Sequence, residues 1–230
     1  MADVVRIDAP VPLIRITGRV FPSNAYLLAT GKGNDCLLVD PGLDGELIAD
    51  AVARHGLVPR AVVCTHGHFD HIGSAAQFQK AYDIPVYLHD ADVPTSRSSN
   101  FLLMAMKIDR RIVVPEVERV GGDDCSLSLC GLDVRYRATP GHTPGSCVVT
   151  IGGLAFTGDT LYSRGVGLSG LPGENTEQLK GTLHRLLTAL PDDVLVLPGH
   201  GGEAPLCDIK ASNVALQRFL GPNVPVMEGG

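Results

Sequence analysis

Residues 65–73, with the sequence THGHFDHIG, carry four side chains that can bind a metal ion within six consecutive positions. They are His66, His68, Asp70 and His71. Imidazole nitrogen and carboxylate oxygen are ordinary ligands of zinc and related divalent ions. A surface loop rich in histidine is the alternative, but three histidines and an aspartate at this density favour a metal site.

The spacing divides this motif into two pairs. An apolar, β-branched run at residues 61–64 predicts a buried strand, so the motif begins where that strand ends. Side chains two positions apart in an extended chain point the same way, so His66 and His68 can share one cation. Asp70 and His71 lie past the turn and are free to face a second cation.

Three further candidate ligands follow strand-like runs elsewhere in the chain. His142 lies in TPGHTPG, Asp159 in FTGDT and His200 in LPGHG, each just after a predicted strand. The tripeptide Pro-Gly-His therefore occurs twice after a strand, which suggests two related halves. Together with the first motif, these residues suffice for two cations.

The elements that must position these side chains alternate along the chain. Strand-like runs are predicted at residues 4–7, 13–16, 25–28, 36–39, 61–64, 85–88, 125–129, 134–138, 147–151, 154–157 and 194–197. Helices are predicted at residues 44–55, 72–82 and 176–190 and over about 20 residues after the last strand, before a polar tail. This order indicates an α/β protein in which helices cover the sheets.

Two assignments stay open on the residues alone. Asp40 follows the run at residues 36–39 and is either a turn residue or a carboxylate that orients a ligand histidine. Residues 100–106 are either a helix whose apolar face rests on the core or a flexible lid over a methionine-lined pocket. Core packing is favoured, because apolar stripes at helical spacing usually pack inward.

Composition narrows the class of protein. We expect residues 1–230 to form a single domain. The net charge of −6, without a cluster of lysine and arginine, gives no indication of nucleic-acid binding. The sequence shows no signal-peptide pattern and no apolar stretch that could cross a membrane, so a cytoplasmic location is expected. The oligomeric state of the protein stays open. Six cysteines without a C-x-x-C pair favour free thiols over a disulfide framework.

The ordered motifs THGHFDHIG, TPGHTPG, FTGDTL and LPGHG resemble those of the metallo-β-lactamase superfamily, and in particular its short hydrolases related to glyoxalase II. The resemblance covers about residues 13–202. It implies a four-layer αβ/βα sandwich in which two sheets face each other, helices lie outside and the metal site lies at one sheet edge. The implied ligands are His66, His68 and His142 for one ion, Asp70, His71 and His200 for the other, and Asp159 as the bridge.

The same resemblance implies a hydrolase with two Zn²⁺ ions, and iron or manganese are alternatives in one or both sites. Two such cations lower the pKa of a shared water from about 15.7 toward about 7, which provides a metal-bound hydroxide for attack on a carbonyl. Asp70 would orient this hydroxide or collect its proton, although a purely ligating role is equally consistent. The expected partner is a small acyl ester, with a thioester favoured.

Departures from the relatives bear on the substrate. Tyr162 stands where the glyoxalase II motif usually has phenylalanine, and it is either a hydrogen-bond donor to the substrate, as in related lactonases, or a packing residue. Residues 165–168 lack an arginine that many relatives carry there. Only 30 residues follow His200, whereas glyoxalase II has a further helical region that binds glutathione, so a glutathione-specific activity is unsupported. Dedicated β-lactamases have cysteine at the position of Asp159, which makes penicillin hydrolysis less favoured.

Three alternatives to the thioesterase remain. One is lactone opening by the same fold. Another is persulfide dioxygenation, for which relatives hold a single iron through residues that match His66, His142 and Asp159. The third, a metal-binding scaffold without activity, is disfavoured because every expected ligand is present. The substrate pocket is expected to be built from residues 21–26, 95–112 and 162–175.

Overall fold

The computed structural model describes residues 4–9 and 11–221 of the chain. The first of its two large sheets contains seven strands in chain order. They are β1 (Val4–Ile7), β2 (Leu13–Thr17), β3 (Asn24–Ala29), β4 (Asp35–Val39), β5 (Val58–Val63), β6 (Val86–His89) and β7 (Glu118–Val120). Strands β1 to β4 form an antiparallel meander, whereas β4 to β7 run parallel to one another.

The second sheet contains six strands in the order β15-β14-β11-β10-β9-β8, and a two-stranded hairpin, β12-β13, lies apart from it. The strands are β8 (Asp124–Leu129), β9 (Leu132–Ala138), β10 (Cys147–Ile151), β11 (Leu154–Gly158), β12 (Leu161–Tyr162), β13 (Gly165–Val166), β14 (Leu195–Pro198) and β15 (Ala204–Pro205). Strand β14 pairs parallel with β11, and the other pairs are antiparallel.

Helices cover the outer face of each sheet. They are α1 (Gly45–Arg54), α2 (Phe69–Ile72), α3 (Ala75–Tyr82), α4 (Val93–Ala105), α5 (Thr176–Ala189), α6 (Leu206–Ser212) and α7 (Val214–Leu220). Side chains of α1, α3 and α4 pack on the first sheet, and those of α5, α6 and α7 pack on the second. A third cluster of buried apolar residues joins the two sheets face to face. The predicted four-layer αβ/βα sandwich is therefore confirmed.

Strand β4 shows why the central strands read as continuous apolar runs. Cys36 and Leu38 point toward the helices, while Leu37 and Val39 point toward the second sheet. Alternate side chains of a strand point to opposite faces, so a strand buried on both faces needs apolar residues at every position. This double burial holds the end of β4 in a fixed place at the sheet edge.

Two predicted helices are each divided in the structure. The periodicity predicts one helix over residues 72–82, but α2 ends at Ile72 and α3 begins at Ala75. The backbone N–H of Ser74 donates to the carbonyl of Pro41 at 3.0 Å instead of continuing the helix. The predicted C-terminal helix is likewise α6 followed by α7, because the side chain of Asn213 caps the start of α7.

The strand predicted at residues 61–64 begins earlier, at Val58, and includes Pro59. The pairing of β4 with β5 shifts register directly after Pro59. Proline cannot donate a ladder hydrogen bond, and a register irregularity is where a strand tolerates it.

Helix α4 confirms core packing for part of residues 100–106. Leu102 and Leu103 are buried against the first sheet, whereas Phe101 and Met104 are 62% and 67% exposed. The lid alternative stays a prediction for the exposed residues.

Three expectations about the whole chain have different outcomes. All six cysteines are free thiols, as expected. Among the described residues, no helix combines the length and the apolar character that a bilayer crossing requires. The polar tail falls on residues 222–230, which lie outside the described residues, and the single domain over residues 1–230 stays a prediction.

Phe78 in α3 is 1% exposed. We expect Phe78→Ala to lower the free energy of unfolding by about 3–5 kcal/mol, because it removes a buried ring and leaves a cavity. Phe101→Ala is the matched control, with an expected loss below about 1 kcal/mol. Urea denaturation followed by circular dichroism measures both values. Equal losses in the two variants would contradict the placement of Phe78 in the core.

Candidate metal centre

The candidate ligands follow strands whose C-terminal ends share a direction. Strands β4, β5 and β6 are parallel, so their C-terminal ends meet at one edge of the first sheet. In the second sheet, β9 and β11 run the same way because each is antiparallel to β10, and β14 is parallel to β11. The segments after β5, β9, β11 and β14 bring the candidate ligands together.

The first group contains His66, His68 and His142, all of which are buried. One potential ligand nitrogen from each ring lies within 4.8 Å of the other two. The Nδ1 of His68 and the Nε2 of His142 are 3.0 Å apart. Within residues 4–9 and 11–221, the buried Nε2 of His66 has no hydrogen-bond partner. Three imidazole nitrogens that converge in this way fit a shared cation.

The second group contains Asp70, His71, Asp159 and His200, again with one ligand atom from each within 4.8 Å of the others. The Oδ2 of Asp70 lies 3.4 Å from the Nε2 of His71 and 3.3 Å from the Nε2 of His200. Among the side chains that the structure describes, the buried Nε2 of His71 has no hydrogen-bond partner. Carboxylate and imidazole donors together suit zinc, iron or manganese.

Asp159 lies between the two groups. Its Oδ1 is 3.3 Å from the Nε2 of His71, and its Oδ2 is 3.3 Å from the Nε2 of His200. The same Oδ2 lies 3.5 Å from the Nε2 of His142, which belongs to the first group. One carboxylate therefore contacts imidazoles of both groups, as a bridging ligand must.

Asp40 contacts candidate ligands of the site, which favours its interpretation as a carboxylate that orients a ligand histidine over that of a plain turn residue. Its Oδ2 accepts a hydrogen bond from the Nδ1 of His71 at 2.9 Å and from the hydroxyl of Thr65 at 2.7 Å. Since the Thr65 hydroxyl donates to Asp40, its oxygen accepts from the Nδ1 of His66 at 3.2 Å. Asp40 thus sets the ring orientation of one histidine in each group, directly or through Thr65.

Backbone carbonyls orient two of the remaining three rings. The Nδ1 of His142 donates to the carbonyl of Gly167 at 3.0 Å, and the Nδ1 of His200 donates to that of Pro22 at 3.0 Å. A carbonyl can only accept, so the neutral form of each ring keeps its lone pair on Nε2, toward the site. Residues 165–168 lack the arginine of many relatives, and they support His142 through their backbone instead.

Asp92 is a buried carboxylate that the sequence analysis missed. Its Oδ2 accepts from the backbone N–H of Gly67 at 2.5 Å and from the hydroxyl of Thr143 at 3.0 Å. Its Oδ1 accepts from the backbone N–H of Gly145 at 2.9 Å and from the hydroxyl of Thr95 at 3.0 Å. Asp92 therefore joins the His66–His68 segment of one sheet to the His142 segment of the other. No local pattern in the sequence signals it.

The two groups of ligands differ in their protonation states. Burial lowers the pKa of His68 to about 4 and the pKa of His66 well below its usual value, so both rings are neutral at pH 7. Burial alone would raise the pKa of Asp70 and Asp159, but His71 and other imidazoles outweigh it and hold both values well below the usual range. Burial alone would lower the pKa of His71 and His200, but the carboxylates of Asp70 and Asp159 outweigh it, raising the pKa of His71 well above its usual value and that of His200 to about 10. Because neutral imidazoles and ionised carboxylates coordinate cations, a cation in the second group would have to displace protons from these two rings.

A cavity of about 250 Å³ opens over both groups. Besides candidate ligands, its walls contain Phe21, Pro22, Phe69, Met106, Tyr162, Ser169 and Leu171. Residues from each of the three ranges predicted for the substrate pocket contribute to these walls. Most of them are apolar, so the cavity offers an apolar compartment directly above the polar cluster.

Tyr162 lies at the edge of this cavity and is half-buried. Its ring packs edge-on against His200, with ring centroids 5.7 Å apart at an interplanar angle of 88°. Burial, together with the nearby Asp159 carboxylate, raises the pKa of Tyr162 well above its usual value, so the phenol stays protonated. The structure thus combines the predicted packing contact with a hydroxyl that is able to donate.

The chain is similar in sequence to known proteins over most of its length. The family model described as "Metallo-beta-lactamase superfamily" matches residues 18–200. The "Probable metallo-hydrolase YqgX" of Bacillus subtilis (strain 168) is 34% identical over 203 residues, which cover 86% of this chain and 93% of the relative. A "Hydroxyacylglutathione hydrolase" of Anaeromyxobacter dehalogenans (strain 2CP-C) is 35% identical over 201 residues, which cover 86% of this chain and 66% of the relative.

Solved structures share the sandwich. The B3 metallo-beta-lactamase BLEG-1 superposes with a TM-score of 0.76 at 26% identity, over 89% of this chain and 99% of that chain. TTHA1623 in a di-iron-bound form superposes with a TM-score of 0.71 at 32% identity, over 96% of this chain and 98% of that chain. The predicted metallo-β-lactamase fold is confirmed by these matches.

The contacts of Asp92 predict a role in positioning the first histidine group. We expect Asp92→Asn to weaken metal binding about 10- to 100-fold, because the amide cannot accept hydrogen bonds from both loops through its nitrogen. Competition with a chelator of known affinity measures this loss. Asp90→Asn is the matched control, since Asp90 is exposed and pairs with Arg119 at the surface. A variant at position 92 that binds metal as tightly as this control would disprove the positioning role.

Proposed function

The chain belongs to the metallo-beta-lactamase superfamily, and we propose that it is a dinuclear metal-dependent hydrolase of small acyl esters, with thioesters as the favoured substrates. The observation that carries this proposal is the convergence of seven side chains into two groups joined by Asp159. The cavity above them offers access for a substrate.

The buried donor atoms fit a pair of cations. Within the part of the chain that the structure describes, the Nε2 atoms of His66 and His71 and the Oδ1 of Asp159 are buried without hydrogen-bond partners. Each such atom costs about 1–3 kcal/mol when it is left unsatisfied. Coordination of a cation satisfies all three atoms. Zinc is the favoured ion, and the di-iron form of TTHA1623 supports iron as an alternative.

Bound divalent cations supply a water-derived nucleophile at neutral pH and polarise a substrate carbonyl. Asp70 keeps its carboxylate ionised beside His71 and His200, so it can accept a hydrogen bond at Oδ2 and orient the nucleophile, whereas its lowered pKa makes it a weak proton acceptor. The protonated phenol of Tyr162 is placed at the cavity edge, where it can donate to a developing oxyanion.

The cavity favours a small acyl group. Ligand pockets commonly measure about 300–1,000 Å³, and the cavity of about 250 Å³ lies just below this range. Phe21, Phe69 and Leu171 give it apolar walls that suit an aliphatic chain rather than a charged one. A thioester or a small lactone meets both requirements.

Persulfide dioxygenation and β-lactam hydrolysis are less favoured. A single iron held by His66, His142 and Asp159 would not require Asp70, His71 and His200 to converge as they do. Asp159, in place of the cysteine of the dedicated β-lactamases, argues against β-lactams. Because the fold also matches a B3 metallo-beta-lactamase, β-lactams belong in the substrate test.

A substrate screen on metal-replete protein tests the proposal. We expect hydrolysis of S-acyl thioesters to exceed that of lactones and β-lactams in kcat/KM. The control reaction is oxygen consumption with a persulfide, for which no activity is expected. Oxygen uptake without thioester hydrolysis would contradict the proposed hydrolase and support the persulfide dioxygenase.

His71 and His200 test whether two ions are used. We expect either alanine substitution to reduce the bound metal from about two ions per chain to about one and to lower thioester hydrolysis at least about 100-fold. Elemental analysis and steady-state kinetics measure these effects. His55→Ala is the control, because His55 is exposed at the end of α1. Full activity in both site variants would exclude the two-metal mechanism.

Tyr162→Phe distinguishes the two possible roles of Tyr162, hydrogen-bond donor and packing residue, because it keeps the ring and removes only the hydroxyl. We expect kcat for thioester hydrolysis to fall about 10- to 100-fold while the metal content is unchanged, since one oxyanion donor is lost. Unchanged turnover would assign Tyr162 to packing alone.

A further inference from the structure

A second, larger depression continues outward from the cavity. It measures about 630 Å³, and Tyr162 and His200 form part of its lining as well as part of the cavity wall. We call this depression the outer groove; its other lining residues are Ser163, Arg164, Gly201, Gly202, Glu203, Ala204 and Ser212. A substrate whose carbonyl lies at the metal centre therefore has room to extend past these two rings.

Arg164 occupies a fixed position in the outer groove. Tyr162 pairs with Gly165, so Ser163 and Arg164 form the turn of the β12-β13 hairpin. The side-chain amide of Asn213, which is 1% exposed, donates to the carbonyls of Tyr162 and Gly165 at 3.0 Å each. This buried clamp holds the hairpin that carries both Tyr162 and Arg164.

The guanidinium of Arg164 is available for an external partner. It is exposed, and within residues 4–9 and 11–221 it forms no ion pair. The one carboxylate among the described lining residues of the groove, Glu203, is already paired with Arg15. The hydroxyl of Ser163 beside it adds a neutral donor. The groove thus presents one uncompensated positive charge and no free carboxylate of its own.

We propose that the outer groove binds an anionic group on the leaving half of the substrate through Arg164. Resting on the proposed function, this inference assigns the acyl half to the apolar cavity and the thiol or alcohol half to the polar groove. A guanidinium presents a planar array of donors that matches a carboxylate or a phosphate. The preferred substrate class is therefore a small acyl thioester of an anionic thiol.

Two S-acetyl thioesters of equal length test this inference, one ending in a carboxylate and the other in a carboxamide. We expect the metal-replete protein to favour the carboxylate in kcat/KM by about 5- to 10-fold, and high salt to reduce this ratio. Arg164→Ala should bring the ratio close to unity, and Arg164→Lys should restore part of it. Arg54→Ala, which removes the same charge from α1 in the opposite helical layer, should leave the ratio as it is.

Binding of the two free thiols gives a readout that does not depend on turnover. Calorimetry should show the carboxylate-bearing thiol binding more tightly than the carboxamide, and Arg164→Ala should abolish this difference. Thioester hydrolysis with equal ratios in wild type and Arg164→Ala would overturn the inference and leave the proposed hydrolase intact. If no thioester is hydrolysed but the two thiols still differ in affinity in a way that depends on Arg164, the proposed hydrolase is overturned and the anion-binding groove is retained.

Discussion

The carboxylate of Asp40 is the interaction on which the arrangement of the site depends. It lies at the end of β4, is buried, and accepts hydrogen bonds from His71, from the hydroxyl of Thr65 and from the Thr65 backbone N–H. Through Thr65 it also fixes His66. One buried negative charge therefore orients a ring in each histidine group, and the double burial of β4 keeps that charge in place.

Close backbone packing around Asp159 imposes a second constraint. A Cβ on Gly167 would lie 1.4 Å from the carbonyl oxygen of Asp159, and one on Gly199 would lie 2.2 Å from its Oδ1. Only glycine fits at these two positions without displacement of Asp159. Gly199 of the LPGHG motif and Gly167 thus allow close packing around Asp159, whereas Gly158 of the FTGDT motif allows the close approach of Thr65.

Local patterns in the sequence predict the order of strands and helices and single out the candidate ligands, whereas the four layers are predicted by the resemblance of the motifs to a known family. Strand-like runs mark the buried strands, and His142, Asp159 and His200 each stand just after one. Asp92 is different: its partners Gly67 and Gly145 lie 25 and 53 positions away, and nothing around it repeats. The break between α2 and α3 is equally hidden, because it depends on a hydrogen bond from Ser74 to Pro41. Long-range polar contacts leave no periodic signal in a sequence.

The two sheets contribute ligands to the same centre, and their loops are also tied together directly. The backbone N–H of Asn24 in β3 donates to the carbonyl of Gly199 at 2.7 Å, and that of Cys147 in β10 donates to Thr65 at 2.9 Å. A cation held by His66, His68 and His142 would act as an interlayer cross-link that exists only in the folded chain. By mass action, such a ligand raises the free energy of unfolding with each increase in its free concentration. The supply of metal in the cell would then govern how long the folded protein persists, as well as how fast it reacts.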